Sequence, residues 1–441
     1  MTQKVITRFP PSPTGLMHIG NIRSLLFNYL YARKHNGEIV MRFEDTDKER
    51  SKQEYADIML QDLKTLGLDF DHGPFYQSQK TERYQDVITQ LIETGFAYEG
   101  EESNDGSGKV IRFKNPNADV TFTDCVRGEI TINTTDFGDF VIARSLDNPL
   151  YHLTVVVDDI DGGITHVIRG EDHITSTPRQ ILLIQALNGQ VPVYAHLPLI
   201  VGDDKKKLGK RHGAVHLAEF KELGYLPEAV VNQLALLGWN PGDEREIFTL
   251  QELVQEFSLE RIQKGAATFS YQKLDDINKQ HMLRLSDEDY KNKVKEYLPT
   301  DKFKKIFSED DNLFTKFVEK VLQERISRFG EVKEMEMEGE LNYLELAPAI
   351  DKELMSFKDE TIDQARDNMK LVVEKLESIN EDDWKVDVIK ETLWDWSGEV
   401  GRGSVLHPMR TVLTGLSRSP DPFTVAYVLG KEETITRLSE M

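Results

Sequence analysis

The sequence predicts an α/β protein: a parallel-sheet domain in the N-terminal half, interrupted by a β-containing insert and followed by an all-helical C-terminal region. Three observations carry this reading. Runs of strand and helix period alternate over the first hundred residues, as in parallel strands joined by crossover helices. Between residues 110 and 147 only short strand-like runs remain. After about residue 220 helical periodicity takes over and persists.

Taken in order, Lys4 to Phe9 reads as a short buried strand and Pro10 to Gly15 as a loop. Ile22, Leu25, Leu26, Tyr29 and Leu30 recur at helical spacing, which predicts a helix over Asn21 to Lys34 that Gly37 can end. Glu38 to Phe43 is the next strand. Ser51-Lys52-Gln53-Glu54 fits a capping box, opening a helix that Gly67 closes. A third helix is expected from about Thr81 to Thr94. Gly100 to Gly108 is polar and turn-rich, and Val110 to Phe113, Glu129 to Asn133 and Phe140 to Arg144 read as strands. Tyr151 to Asp158 and Thr165 to Arg169 read as strands again. Thr177-Pro178 marks a helix start, with Thr177 as N-cap, and that helix should end near Gly189. His196 to Val201 is expected as one strand leading into a basic loop. Trp239-Asn240-Pro241-Gly242 breaks the helical pattern beyond it.

A chain of 441 residues predicts two to four domains and a sizeable core, with 39% apolar and 29% charged residues. No apolar run reaches the length of a membrane span. Met1 to Thr7 lacks the apolar core of a signal peptide, and Cys125 is the single cysteine, so a reducing cytoplasm is expected. The net charge of −22 argues against bulk attraction to nucleic acid. Any RNA contact must come from local basic patches. Lys205 to His212 holds five Lys or Arg and no acid, and Gly401 to Pro420 holds Arg402, Arg410 and Arg418 and no acid. Glu331 to Glu340 carries five Glu against one Lys; it reads as a solvated helix face or loop and would repel phosphate.

Two segments carry the chemistry. Pro11-Ser12-Pro13-Thr14-Gly15-Leu16-Met17-His18-Ile19-Gly20-Asn21 lies between a predicted strand and helix, where open α/β sheets place ligands. Free N–H groups at the helix start favour phosphate, Gly15 and Gly20 let a nucleotide approach the backbone, and His18 can donate to a phosphate oxygen. Lys205-Lys206-Lys207-Leu208-Gly209-Lys210-Arg211 supplies mobile cations for charge that gathers on a phosphate during displacement. Alone, each has an ordinary alternative: a surface histidine at a helix start, and a solvated basic loop.

Together these segments resemble the two signature sequences of the class I aminoacyl-tRNA synthetases. Arg42-Phe43-Glu44-Asp45-Thr46-Asp47, Tyr151 to Asp159, Val167-Ile168-Arg169-Gly170-Glu171-Asp172-His173 and Val231 to Trp239 resemble the glutamyl branch. The resemblance implies a Rossmann-type catalytic domain (1–99 and 148–222), an insert for the tRNA acceptor end (100–147), a helical stem-contact domain (223–300) and a helical anticodon-binding domain (301–441). It implies ATP-dependent activation of L-glutamate and its transfer to the 3′ end of tRNA(Glu), with Mg²⁺ on the phosphates. His18, Lys207, Lys210 and Arg211 would be catalytic. Pro11, Ser12, Thr14, Gly15, His18, Gly20, Asn21 and Lys210 would hold ATP. Arg8 and Arg169 would clamp the glutamate carboxylates, Ser12 and Glu44 would contact its amino group, and Tyr151 would line the pocket. A pocket for glutamate calls for such a set, because arginine binds carboxylate in a two-pronged fork.

His407 to Gly415 resembles part of the bacterial anticodon-binding region, which makes Arg402, Arg410 and Arg418 candidate tRNA contacts. Two departures stand out. Gly209 occupies a position usually serine in this branch, which removes a hydroxyl donor. The insert lacks the cysteines that hold zinc in some bacterial relatives, so no zinc is expected and Cys125 is read as a small packed residue. A monomer is expected. The alternatives are an enzyme that also charges tRNA(Gln), a truncated paralogue acting on a tRNA base, a non-catalytic tRNA-binding protein and a general nucleotidyltransferase. The long helical region after His281 weighs against the paralogue.

Overall fold

The computed structural model describes residues 4–101, 108–206, 208, 216–298, 301–345, 347–348, 355–358 and 360–440. Three strands, β1 (Ile6–Phe9), β2 (Glu38–Phe43) and β3 (His72–Tyr76), alternate with α1 (Ile19–Lys34) and α2 (Gln53–Thr65). They pair in parallel in chain order, Ile6 opposite Glu38 and Val40 opposite His72. After α3 (Thr81–Glu93) comes the insert: β4 (Ala97–Glu101), β5 (Lys109–Phe113), β6 (Asp119–Asp124), β7 (Gly128–Asn133), β8 (Phe140–Ser145) and β9 (Asn148–Pro149). Then α4 (Tyr151–Asp161), β10 (His166–Gly170), α5 (Thr177–Ala186) and β11 (Val193–Leu197) complete the parallel arrangement.

β10 and β11 pair in parallel. β10 lies beside β1, where Thr165 N–H donates to Ile6 O at 2.9 Å. The order is therefore β3-β2-β1-β10-β11, and it reverses direction between β1 and β10. Ligands sit at such a reversal, outside the carboxyl ends of the strands. β2 is a nearly continuous apolar run, buried from Ile39 to Phe43, as a strand covered on both faces must be. Asn28, buried within α1, donates to Ile168 O at 2.9 Å and ties the helix to β10. In the insert β4, β5, β8 and β9 form one antiparallel sheet. The β6–β7 hairpin instead joins β11, with Asp124 opposite Tyr194.

Several expectations need correction. Tyr151–Asp161 is a helix, not a strand. Its β-branched run Val155-Val156-Val157 favours strand locally, but every residue from Leu153 to Asp158 is buried, and packing on several sides overrides that preference. The capping box at Ser51 does not form: Lys52 is the N-cap without a side-chain bond, and Ser51 Oγ has no partner. Gly67, at φ +70°, does close α2. Asn36, at φ +50°, makes the left-handed turn after α1. Gly37 serves a close approach there, since a Cβ would stand 2.3 Å from Val5 O.

Thr177 is the first helical residue of α5 and Ser176 the cap; the helix ends at Ala186, short of Gly189. Pro198, which has no N–H to donate, divides the segment read as one strand into β11 and Ile200–Val201; the latter pairs with Ala267–Thr268. β3 and β6 were not expected. Cys125 is exposed rather than packed, because β6 alternates and turns Val120, Phe122 and Asp124 inward.

By its internal contacts the chain divides into two compact units, Met1–Lys221 with Leu226–Ile277, and Glu222–Tyr225 with Asn278–Met441. The second is helical throughout its described residues. Its acidic run forms the helix Glu331–Met337, with Glu334 paired to Arg328 at 2.8 Å. No helix among the described residues is long and apolar enough to cross a membrane.

Candidate active site

The loop after β1 ends on His18, which caps α1 in an extended conformation. Its Nδ1 accepts the Gly20 N–H at 3.1 Å, so a neutral ring carries its proton on Nε2. No acid lies in the first turn of α1, which leaves the positive end of the helix uncompensated from within its own first turn. A Cβ on Gly20 would stand 3.4 Å from His18 Nδ1, at ordinary van der Waals contact. His216 bridges to His18 through the backbone, and the two rings stand edge to face at 6.0 Å.

A charged cluster forms where β1 and β2 end. Arg8 Nε donates to Asp159 at 3.3 Å, and Arg42 Nη1 donates to the same carboxylate at 2.9 Å. Burial works to raise the Asp159 carboxyl, but the Arg8 and Arg42 guanidiniums outweigh it and hold it below its ordinary value. Asp158, fully buried, accepts from Gln77, Lys80 and Tyr84 and lies 3.4 Å from Arg42 Nε. Glu44 pairs with Arg42 at 3.4 Å, and its N–H donates to Pro11 O, which ties the end of β2 to the loop after β1. Burial pushes the Glu44 carboxyl up to about 7 against the pull of Arg42 and Arg8.

Arg169, at the end of β10, is buried among neutral partners. Nε donates to His196 at 3.1 Å, Nη1 to Gln180 at 2.7 Å and Nη2 to Thr177 at 2.8 Å. Among the described residues no carboxylate forms an ion pair with it, and burial lowers its pKa. Tyr151, at the start of α4, places its hydroxyl 3.4 Å from His173 Nδ1; burial, then the nearby Glu44 charge, raises its pKa.

One cavity of about 810 Å³ gathers these groups. Arg8, Pro11, Ser12, Thr14, His18, Gly20, Asn21, Glu44, Tyr151 and Arg169 all line it. Gly15 does not, and a Cβ on it would meet nothing within 4 Å, so the expectation that it lets a ligand approach is corrected. Lys207, Gly209, Lys210 and Arg211 lie outside the described residues. Leu208, between them, lines the cavity and donates its N–H to Ile200 O at 3.1 Å. Arg402 starts the helix Arg402–Thr414 with its guanidinium 4.0 Å from the centre of the Trp394 ring; Arg410 is half-buried on the same helix, and Arg418 is exposed.

The sequence reading missed Arg42, Asp158 and Asp159, although all three stood in segments already singled out. It missed Asp124 and His196 as well. The alternation of β6 was the available signal, since it sets an acid in line with inward Val120 and Phe122.

The catalytic-domain family described as tRNA synthetases class I (E and Q) matches residues 4–107 and 99–276, and the family described as anticodon binding domain matches 281–441. Glutamate–tRNA ligase 1 of Alkalilimnicola ehrlichii is 38% identical over 99% of this chain and 97% of its own length. Glutamate–tRNA ligase of Legionella pneumophila is 37% identical with the same coverage. The crystal structure of a glutamate tRNA ligase from Elizabethkingia meningosepticum, in complex with its amino acid, superposes with a TM-score of 0.85 at 28% identity, over 99% of both chains. With these matches over nearly its whole length, the chain belongs to the glutamate–tRNA ligase family of class I tRNA synthetases.

Proposed function

We propose that the protein joins L-glutamate to tRNA(Glu). The glutamate α-carboxylate attacks the α-phosphorus of ATP, which arrives with its Mg²⁺; the bond to the β-phosphate breaks and pyrophosphate leaves with its electron pair. The 2′-hydroxyl of the terminal adenosine then attacks the acyl carbon of glutamyl-adenylate, and AMP leaves. One observation carries this reading. The open N-terminus of α1 and the Arg8, Glu44 and Arg169 side chains share a single cavity.

The His18 Nε2–H and the positive end of α1 hold the ATP phosphates beside Gly20 and Asn21, whose own N–H groups stay on His18, with Pro11, Ser12 and Thr14 along the nucleotide. Arg169 takes one glutamate carboxylate, a role supported by its lack of an acidic partner, and Arg8 takes the other. Glu44 and Ser12 receive the ammonium, and Tyr151 closes the side of the pocket. Lys207, Lys210 and Arg211 meet the departing pyrophosphate, and the position of Leu208 supports this. Gly209 weakens that grip by the donor it lacks. Positioning and fixed charge supply most of the rate effect.

Residues 100–147 receive the acceptor end, 223–300 contact the stem, and 301–441 read the anticodon through Arg402, Arg410 and Arg418. The protein acts as a monomer in the cytoplasm. It uses no Cys-rich zinc site, since one cysteine cannot build one.

The test is aminoacylation of purified tRNA(Glu) and tRNA(Gln) with labelled glutamate. Charging of tRNA(Glu) is expected. Charging of neither would overturn the proposal, and charging of both would extend it to tRNA(Gln).

A further inference from the structure

Asp124 and His196 have no part in the reaction as written, yet both are fully buried and lie 2.6 Å apart. Every group facing the Asp124 carboxylate is a donor. His196 offers its backbone N–H at 3.0 Å and its ring Nδ1 to Oδ2, and the Val126 and Arg127 N–H groups reach Oδ1 at 2.9 and 2.8 Å. This fixes the ring proton on Nδ1 and leaves Nε2 a bare acceptor. That lone pair meets Arg169 Nε–H at 3.1 Å, with the Thr177 hydroxyl, which donates to His173 O, 3.2 Å away. With Nη1 on Gln180 and Nη2 on Thr177, each Nη keeps a second N–H for a ligand.

We propose that Asp124 and His196 are a positioning pair that aims the Arg169 guanidinium at the glutamate carboxylate. The proposal rests on the assignment of Arg169 to the glutamate pocket. It also ties that pocket to the insert, because Asp124 stands on β6 while Arg169 stands on β10.

Asp124→Asn tests it with almost no change in shape. Oδ1 carries two backbone N–H groups against one at Oδ2, so the amide oxygen takes the Oδ1 place and the amide NH₂ faces His196. The ring then takes its proton on Nε2 and sets donor against donor at Arg169. Glutamate KM should rise about tenfold to hundredfold, the scale of a lost charge-assisted hydrogen bond. ATP KM and kcat at saturating glutamate should stay within about twofold of the parent. The ¹⁵N shifts of the His196 ring should report the proton moving from Nδ1 to Nε2. Adding His196→Gln, which restores an acceptor to Arg169, should recover most of the lost affinity.

Should Asp124→Asn fail to fold, His196→Gln and His196→Leu decide the same question: Gln near the parental KM, Leu raised. Equal KM values for those two would overturn the proposal, as would an Asp124→Asn effect that falls equally on ATP and glutamate. Arg169→Lys separates the two levels. If it raises glutamate KM while Asp124→Asn does not, only the positioning pair falls. If Arg169→Lys changes nothing, the pocket assignment itself falls.

Discussion

Glu44 shows how a residue acquires its role from its surroundings. A carboxylate in water titrates far below neutrality, but burial lifts this one to about 7 despite Arg42 and Arg8. In the proposed pocket the ammonium of bound glutamate favours the ionised form, so binding near neutral pH should release protons. Glutamate KM should therefore rise as pH falls from about 8 to 6, approaching tenfold per pH unit below 7, where Glu44 is mostly protonated in the free protein. Steady-state kinetics across that range checks this, and Glu44→Gln should flatten the profile while raising KM at pH 8. In the proposed reaction Lys210 acts in the chemical step. Lys210→Ala should lower the rate of glutamate-dependent ATP–pyrophosphate exchange about 10²–10³-fold with modest change in glutamate KM. A variant exchanging at the parental rate would remove the basic loop from the site. Glu44 was legible in the sequence as a cavity residue because its segment is distinctive. The charge state of Glu44 was not, since it depends on neighbours from β1, β2 and α4 that meet only in the fold.

The instructive element is α4. Its β-branched core reads as strand when taken alone, and nothing in the run signals a helix. The folded chain buries Leu153 to Asp158 in one stretch, against a core that includes Tyr84, Ile142 and Ile181. At its C-terminal end sit Asp158 and Asp159, so the helix delivers two carboxylates to Arg8, Arg42 and Lys80. Asp158→Ala would open a buried void and leave Lys80, Tyr84 and Gln77 without their acceptor, while Arg42 keeps Asp159. It should cost about 3–5 kcal/mol, the range for breaking a buried pair. Urea unfolding followed by far-ultraviolet circular dichroism would register this as an earlier first transition. The short strands were harder to read than the helices for a related reason. β3 contains Gly73-Pro74, which reads as a turn, and β6, beyond its hairpin with β7, gains its second partner in β11, seventy residues further on.

For the whole molecule the governing quantity is charge. At −22 the protein repels RNA on average, so tRNA must be held by local cations. Arg402, Arg410 and Arg418 lie on one helix and the turn after it, in a stretch free of acids. Replacing each with alanine should weaken tRNA binding and reduce the slope of log K against log salt by about one where the arginine meets a phosphate. KM for glutamate and ATP should not change. Nitrocellulose filter binding over a salt series gives the slopes, and an unchanged slope in all three variants would clear that face of RNA contact. The sequence by itself determined the family, the alternation of strand and helix, the insert and ten of the residues that line the cavity, because each is encoded within a short contiguous segment. Tertiary structure alone decided that α4 is a helix, that Glu44 titrates near 7, and that Asp124 reaches across from the insert to His196 beside Arg169. Each of those depends on burial and on partners distant in the chain, and no local pattern of residues specifies either.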